Sequence, residues 1–390
     1  MAAVWTAAGW ADDQAAELLM TSDPHTEEAL KKRFRAASLK VERRLAGSMQ
    51  LTPAEEMRSL SDEVDALDEP LLWDRYGESG PVEALEQQVA DLLGKPAAAM
   101  FPSGVMAQQS VLRVWSDETG SRRIALPALS HLLYHELDGP ELLHGFRYER
   151  LTDGANFPRA TDLEAIPGRL GAALLELPLR DGGYLLPTWD ELSEFSRMCR
   201  NREIPLHFDG ARIWESQPYL GHPLPEIAAL ADSVYVSFYK GLRGLAGAAV
   251  AGPSDVIAQT RSWRTRHGGT LISMLPYAVT ALRGLRQELP RMAEYHDHAL
   301  ALADALSARG FRVFPQPPHS NAFRILAARD HRDINERMVS FMDEDRTALT
   351  PPWEPADVPG WSWTEFAVGA ATLEWPVATA VDVLGRVVQP

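Results

Sequence analysis

Apolar positions along the chain alternate between short unbroken runs and longer stretches where they recur every three or four residues. Ala172 to Leu177 is such a run, too short for a helix, and it reads as a strand buried on both faces. Residues 204–212 and 232–240 repeat the theme and deliver Asp209 and Lys240 near their ends. Thr188-Trp189-Asp190-Glu191 is a capping box that opens a helix leading to the Asp209 strand. Strand, helix, strand at this spacing is the signature of an α/β fold.

The rest of the chain fits around that centre. Thr52-Pro53-Ala54-Glu55 caps a helix whose face is Met57, Leu60, Val64 and Leu67. A second helix starts at Pro81, faces inward with Val82, Leu85, Val89 and Leu92, and stops at Gly94. Ala97 to Phe101 reads as a strand, and a third helix follows Pro102-Ser103-Gly104-Val105 through Val111, Leu112 and Trp115. The glycine-rich stretch 241–252 suits a tight turn and a further buried strand, and residues 270–308 are mostly helical. Beyond them, strands at 311–314, 322–327 and 366–371, a helix at 333–342 and an ordered loop at 350–363 form a small α+β lobe. Ahead of everything, Leu30, Phe34, Val41 and Leu45 predict a helix that Gly47 ends, with a basic opposite face from Lys31 to Arg44. That face reads as an arm packed on its own protein or a partner, rather than an anion or membrane surface. The expected domains are an extension over 1–47, a large domain over 48–300 and a small one over 301–390.

Composition narrows the function. At 390 residues the chain is long enough for two lobes. Its net charge of −16 argues against nucleic acid as a partner, since phosphates need a basic face. A single cysteine, Cys199, excludes an intrachain disulfide and suits a reducing compartment. No apolar run reaches membrane-spanning length and no leader segment is visible, so a cytoplasmic protein is expected.

Two apolar strands, one ending on an acid and the other on a lysine, suggest a site for a cationic ring. Pyridoxal phosphate (PLP) matches: a lysine forms a Schiff base with it, and an aspartate keeps its pyridine nitrogen protonated. Ser103-Gly104-Val105 at a helix N-terminus would make an anion site for its phosphate. A metal site is disfavoured, because His296 and His298 point to different faces of a helix.

Four segments carry a family resemblance: Arg75-Tyr76-Gly77-Glu78, Pro102 to Ala107, His207 to Arg212, and Ser237-Phe-Tyr-Lys240. In order and spacing they resemble the low-specificity L-threonine aldolase and β-eliminating lyase family, and His131 falls where that family stacks a histidine on its cofactor. The resemblance implies a fold-type I PLP enzyme, with a large doubly wound, mainly parallel domain and a small C-terminal α+β domain. It makes Lys240 the Schiff-base lysine, Asp209 the partner of the ring nitrogen and His131 the stacking residue. Arg212 would take the phenolic oxygen or the substrate carboxylate, and Ser103, Gly104, Val105 and Ser237 complete the cofactor set. Tyr76 is a further candidate for the substrate pocket. It also implies a homodimer or homotetramer and a small amino-acid substrate.

The departures fall on substrate handling. Leu179 stands where the family has a histidine thought to act as base, and Glu365 where it has a carboxylate-binding arginine; Arg324 is a candidate replacement. His135 and His267 are spare candidates for the base. The expected reaction is cleavage of the Cα–Cβ bond of a β-hydroxy-α-amino acid to glycine and an aldehyde. Alternatives are β-elimination, transamination or another reaction on an unusual amino acid, and a non-catalytic subunit that keeps the fold.

Overall fold

The structure, a computed structural model, describes residues 26–49, 51–65 and 72–389. Its described residues divide into two compact units, one within Gln50–His296 with His319–Asn321, the other within Met1–Met49, Asp297–Pro318 and Ala322–Pro390.

The larger unit is built on a seven-stranded sheet. Its strands are β1 (Ala97–Phe101), β2 (Arg123–Leu126), β3 (Arg147–Arg150), β4 (Ala172–Glu176), β5 (Leu206–Gly210), β6 (Ser233–Ser237) and β7 (Ala248–Gly252). They lie in the order β1-β7-β6-β5-β4-β2-β3, and only β7 runs against its neighbours. Strands β4 to β7 are buried at every position, as the unbroken apolar runs predict for a sheet covered on both faces. This is the fold-type I architecture expected from the sequence.

Helix α1 (Pro53–Asp65) opens on the expected capping box, in which the Thr52 hydroxyl accepts from the Glu55 amide at 3.3 Å. Its apolar face is only partly covered: Met57 is exposed and Leu67 lies outside the described residues. Helix α2 (Gly80–Leu93) ends at Gly94 in the left-handed conformation, φ 60°. Leu93 rather than Leu92 completes its buried face, because four residues beyond Val89 stays on the stripe and three does not here. Helix α3 (Gly104–Thr119) lies on the sheet, and a polar chain fastens it there. Gln108 Oε1 meets His207 Nε2 at 2.7 Å, His207 Nδ1 meets the Ser233 hydroxyl at 2.8 Å, and the Trp115 indole donates to that hydroxyl at 2.9 Å. Complete burial pushes His207 down to about 3, so it is a neutral structural link inside the His207-Phe-Asp209 segment.

The smaller unit carries a four-stranded antiparallel sheet of β8 (Arg312–Phe314), β9 (Ala322–Ala327), β10 (Glu354–Pro355) and β11 (Ser362–Ala367), in the order β10-β11-β9-β8. The last strand starts at Ser362, four residues ahead of the 366–371 expected from the sequence. Its buried positions include Ser362 and Thr364, which do not signal burial; the Thr364 hydroxyl is satisfied by the Pro351 carbonyl at 3.1 Å. The N-terminal helix is also shorter than expected. It spans Glu27–Ser38, and Arg43–Arg44 instead pairs in parallel with Thr347–Ala348, burying Leu45 from an extended backbone. The helix packs by Leu30 and Phe34 within this unit, and Arg33 pairs with Glu336 at 2.7 Å, so its basic face serves an arm folded onto its own chain.

Candidate active site

Parallel strands end together, and their carboxyl edge is where the chemistry-bearing residues of an open α/β sheet collect. Here Glu176 closes β4, Asp209 lies one residue from the end of β5, Ser237 closes β6 and Lys240 follows in the next turn. β1 runs parallel to β6 across the antiparallel β7, so its following turn brings Ser103, Gly104 and Val105 to the same edge. β2 sends its chain there too, into the short helix α4 (His131–Tyr134).

Lys240 is half-buried, and its amine is deep in the electrostatics of the edge. Burial pushes it down to about 8, with the Arg212 guanidinium adding to the shift; the carboxylates of Asp209, Glu176 and Glu215 act against it. Glu176 and Asp209 are register partners on adjacent strands. Burial and the charge of Asp209 raise the Glu176 carboxyl, while it accepts from the Ser130 hydroxyl at 2.9 Å and from the His131 amide. Asp209 accepts from the Ala211 amide at 3.0 Å, which fixes its carboxylate over the strand end.

His131 sits beside these acids. Its Nδ1 lies 3.6 Å from Glu136, whose other oxygen accepts from Gln109 at 3.2 Å. Burial works against the imidazolium, but Glu136, Asp209 and Glu176 outweigh it and raise the group. The ring of His135 is 4.8 Å from that of His131, and His135 Nε2 meets Asp181 at 2.6 Å. Asp181 lies on the loop after β4, which also places the Tyr184 ring 5.5 Å from the Arg212 guanidinium.

Gly104 begins α3, so its amide and that of Val105 are first-turn donors without helical acceptors. The Ser103 hydroxyl caps the helix from the Met106 amide at 3.3 Å. A Cβ on Gly104 would lie 2.1 Å from the Tyr235 hydroxyl, so no larger residue fits. The buried Ser237 hydroxyl has no hydrogen-bond partner among the described residues. An orphaned hydroxyl beside open helix amides is the donor set a phosphate fills.

Residues 51–328 match the sequence model of the β-eliminating lyases. The chain belongs to that family. A low specificity L-threonine aldolase from Escherichia coli K12 is 30% identical over 253 residues, covering 63% of this chain and 75% of that protein. A Listeria monocytogenes structure assigned as an L-allo-threonine aldolase is 33% identical and superposes with a TM-score of 0.85, over 92% of this chain and 99% of its own. An Exiguobacterium structure assigned as an aromatic amino acid β-eliminating lyase/threonine aldolase reaches 36% identity and 0.85 over the same shares.

Within this lyase scaffold the residues expected from the sequence divide into two groups. Lys240, Asp209, Arg212, His131, Ser103, Gly104, Val105 and Ser237 all come to the carboxyl edge of one sheet. Tyr76 belongs to the same unit, but 57% of its surface is exposed. Arg324 belongs to the smaller unit, where its guanidinium lies 4.3 Å from the Trp363 ring and its register partner is Glu365. Leu179 is wholly buried, and a Cβ on Gly182 would come within 2.8 Å of it, so this position packs the loop from inside. His267 belongs to a separate cluster, with Ser110 and His144 each 3.2 Å from one of its nitrogens.

Four acids of the edge escaped the sequence reading: Glu136, Glu176, Asp181 and Glu215. Glu176 carries the same signal as Asp209, an acid ending an apolar run. The other three do not end an apolar run, and what ties them to the edge includes distant groups: Gln109 for Glu136, His135 for Asp181 and Lys240 for Glu215.

Proposed function

We propose that this protein is a PLP-dependent lyase that cleaves the Cα–Cβ bond of a threonine-like β-hydroxy-α-amino acid to glycine and an aldehyde. The observation that carries the reading is Lys240, whose amine is held near neutrality beside Asp209 in a chain whose relatives are threonine aldolases. An amine at about 8 is largely protonated at pH 7 but close enough to lose its proton and act as a nucleophile.

The residues present fit the cofactor. Lys240 would attach it, and Asp209 would hydrogen-bond the ring nitrogen. His131, oriented by Glu136, would lie against the ring face. The Gly104 and Val105 amides with the Ser103 and Ser237 hydroxyls would hold its phosphate. Arg212, floored by Tyr184, would take the ring oxygen or the substrate carboxylate. When bound, PLP supplies an electron sink for the carbanion developing at Cα.

A second reading, β-elimination, transamination or another reaction on an unusual amino acid with the same cofactor, is favoured by the wholly buried aliphatic Leu179, which can move no proton. The test is direct. Purified protein supplied with PLP is expected to gain a visible absorbance band that Lys240→Ala lacks. Given L-threonine, L-allo-threonine and L-serine, it is expected to release glycine and aldehyde. Keto acid without glycine would replace the leading reading with the second, and no Lys240-dependent band would remove both.

A further inference from the structure

Cleaving Cα–Cβ next to a hydroxyl needs a base, because the hydroxyl must lose its proton as its C–O bond becomes a carbonyl. A base must offer a lone pair to the proton, must be reachable, and must be held in one orientation. His135 meets all three requirements. Its side chain is about one-third exposed, at 32%, and its ring lies 4.8 Å from that of His131. Its Nε2 is 2.6 Å from the Asp181 carboxylate, so Nε2 carries the proton and donates it. Nδ1 is left as the acceptor, and it has no hydrogen-bond partner among the described residues.

The loop after β4 makes this a built arrangement. Asp181 reaches His135, Tyr184 lies under Arg212, and between them Gly182 closes over buried Leu179. Arg180 lies 3.6 Å from Asp181 and helps fix its carboxylate. One loop therefore anchors both an imidazole and a guanidinium at the rim where the substrate's hydroxyl and carboxylate would lie.

Resting on the lyase reading above, we propose that His135 is the general base for the β-hydroxyl and that Asp181 is its positioning residue. The hydroxyl proton passes to His135 Nδ1. The O–H electron pair forms the carbonyl π bond, and the Cα–Cβ pair stays on Cα, for which the bound cofactor would supply the electron sink. The aldehyde leaves. The imidazolium formed at His135 is stabilised by the Asp181 carboxylate until it returns its proton to solvent or product.

The test uses the PLP-loaded full chain and compares two substrates, only one of which has a hydroxyl to deprotonate. His135→Gln keeps a donor to Asp181 and loses the base. Cleavage of L-threonine and L-allo-threonine is expected to fall about 10²- to 10⁴-fold. The absorbance change on glycine binding, and the exchange of glycine's Cα proton in D₂O followed by NMR, should stay within about threefold of wild type, being independent of a hydroxyl base. Asp181→Asn should lower kcat on the β-hydroxy substrates with KM and glycine exchange unchanged, and Asp181→Glu should restore part of the loss. Equal losses on glycine exchange and cleavage would make His135 structural and overturn the proposal, as would wild-type cleavage by His135→Gln. A wild type that takes up no PLP would overturn the lyase reading itself. A coenzyme-binding wild type with an indifferent His135→Gln sinks only the base.

Discussion

Lys240 gives up its proton more readily in the folded chain than in the unfolded one, and this ties stability to pH. Its folded value of about 8 lies below the unfolded 10.5, so below pH 8 both states hold the proton and the cost of burying the cation is fully present. Between the two values the unfolded state binds more protons, and stability rises with pH; above both values the cost is gone. Full conversion of that shift would be about 3 kcal/mol, reduced by partial solvent access to roughly 1–2 kcal/mol. Lys240→Met is therefore expected to stabilise the coenzyme-free protein by that amount at pH 7, and the gain should shrink toward zero near pH 10.5. Urea unfolding at both pH values checks it, and a gain independent of pH would contradict it. This residue was legible in the sequence because a lysine ending a buried run is unusual in any other role. His135 and Asp181 were not legible as a pair, since they stand 46 positions apart and only the loop after β4 brings them together. Leu179 was legible as a departure, an aliphatic side chain where the family has a histidine, and the structure adds that it is wholly buried packing.

At the scale of elements, the start of α3 decides how the phosphate is held. The close approach of Gly104 to Tyr235 leaves no room for a side chain, so Gly104→Ala must push the helix N-terminus away from the end of β6. PLP retention is expected to fall at least about tenfold, or roughly 1.4 kcal/mol, measured by dialysis of the loaded protein. Removing the hydroxyl as well, in Gly104→Ala/Tyr235→Phe, should recover part of the loss, and a double variant no better than the single would locate the defect elsewhere. Elements with strong local signals were readable: the boxes at Thr52 and Thr188, the stop at Gly94, and strands β4 to β6. The misread ones depended on partners. β11 buries Ser362 and Thr364 because backbone acceptors satisfy them, and the N-terminal helix yields to strand pairing at Arg43 because Thr347 offers an edge.

The whole molecule carries apolar surface that a lone chain leaves uncovered. Tyr76 and Ile272 are 57% and 53% exposed, and the Tyr76 amide bonds the Ile272 carbonyl at 3.1 Å, so the two adjoin in one patch on the larger unit. A homodimer or homotetramer covering this patch is the expected state. Light scattering should report at least twice the 43.1 kDa chain mass, and Tyr76→Glu/Ile272→Glu should shift it toward a single chain; a monomeric wild type would refute the expectation. No described helix is long and apolar enough to cross a membrane. By itself the sequence determined the α/β class, the places along the chain of strands β1 and β4 to β7 and the lysine–aspartate pair, because burial on both faces of a sheet leaves unbroken apolar runs. Only the tertiary structure decided which side chains share the carboxyl edge. Glu176 beside Asp209, Gln109 on Glu136 and Asp181 on His135 are contacts between distant segments, and their energies depend on burial and separation in space, which a linear pattern does not record.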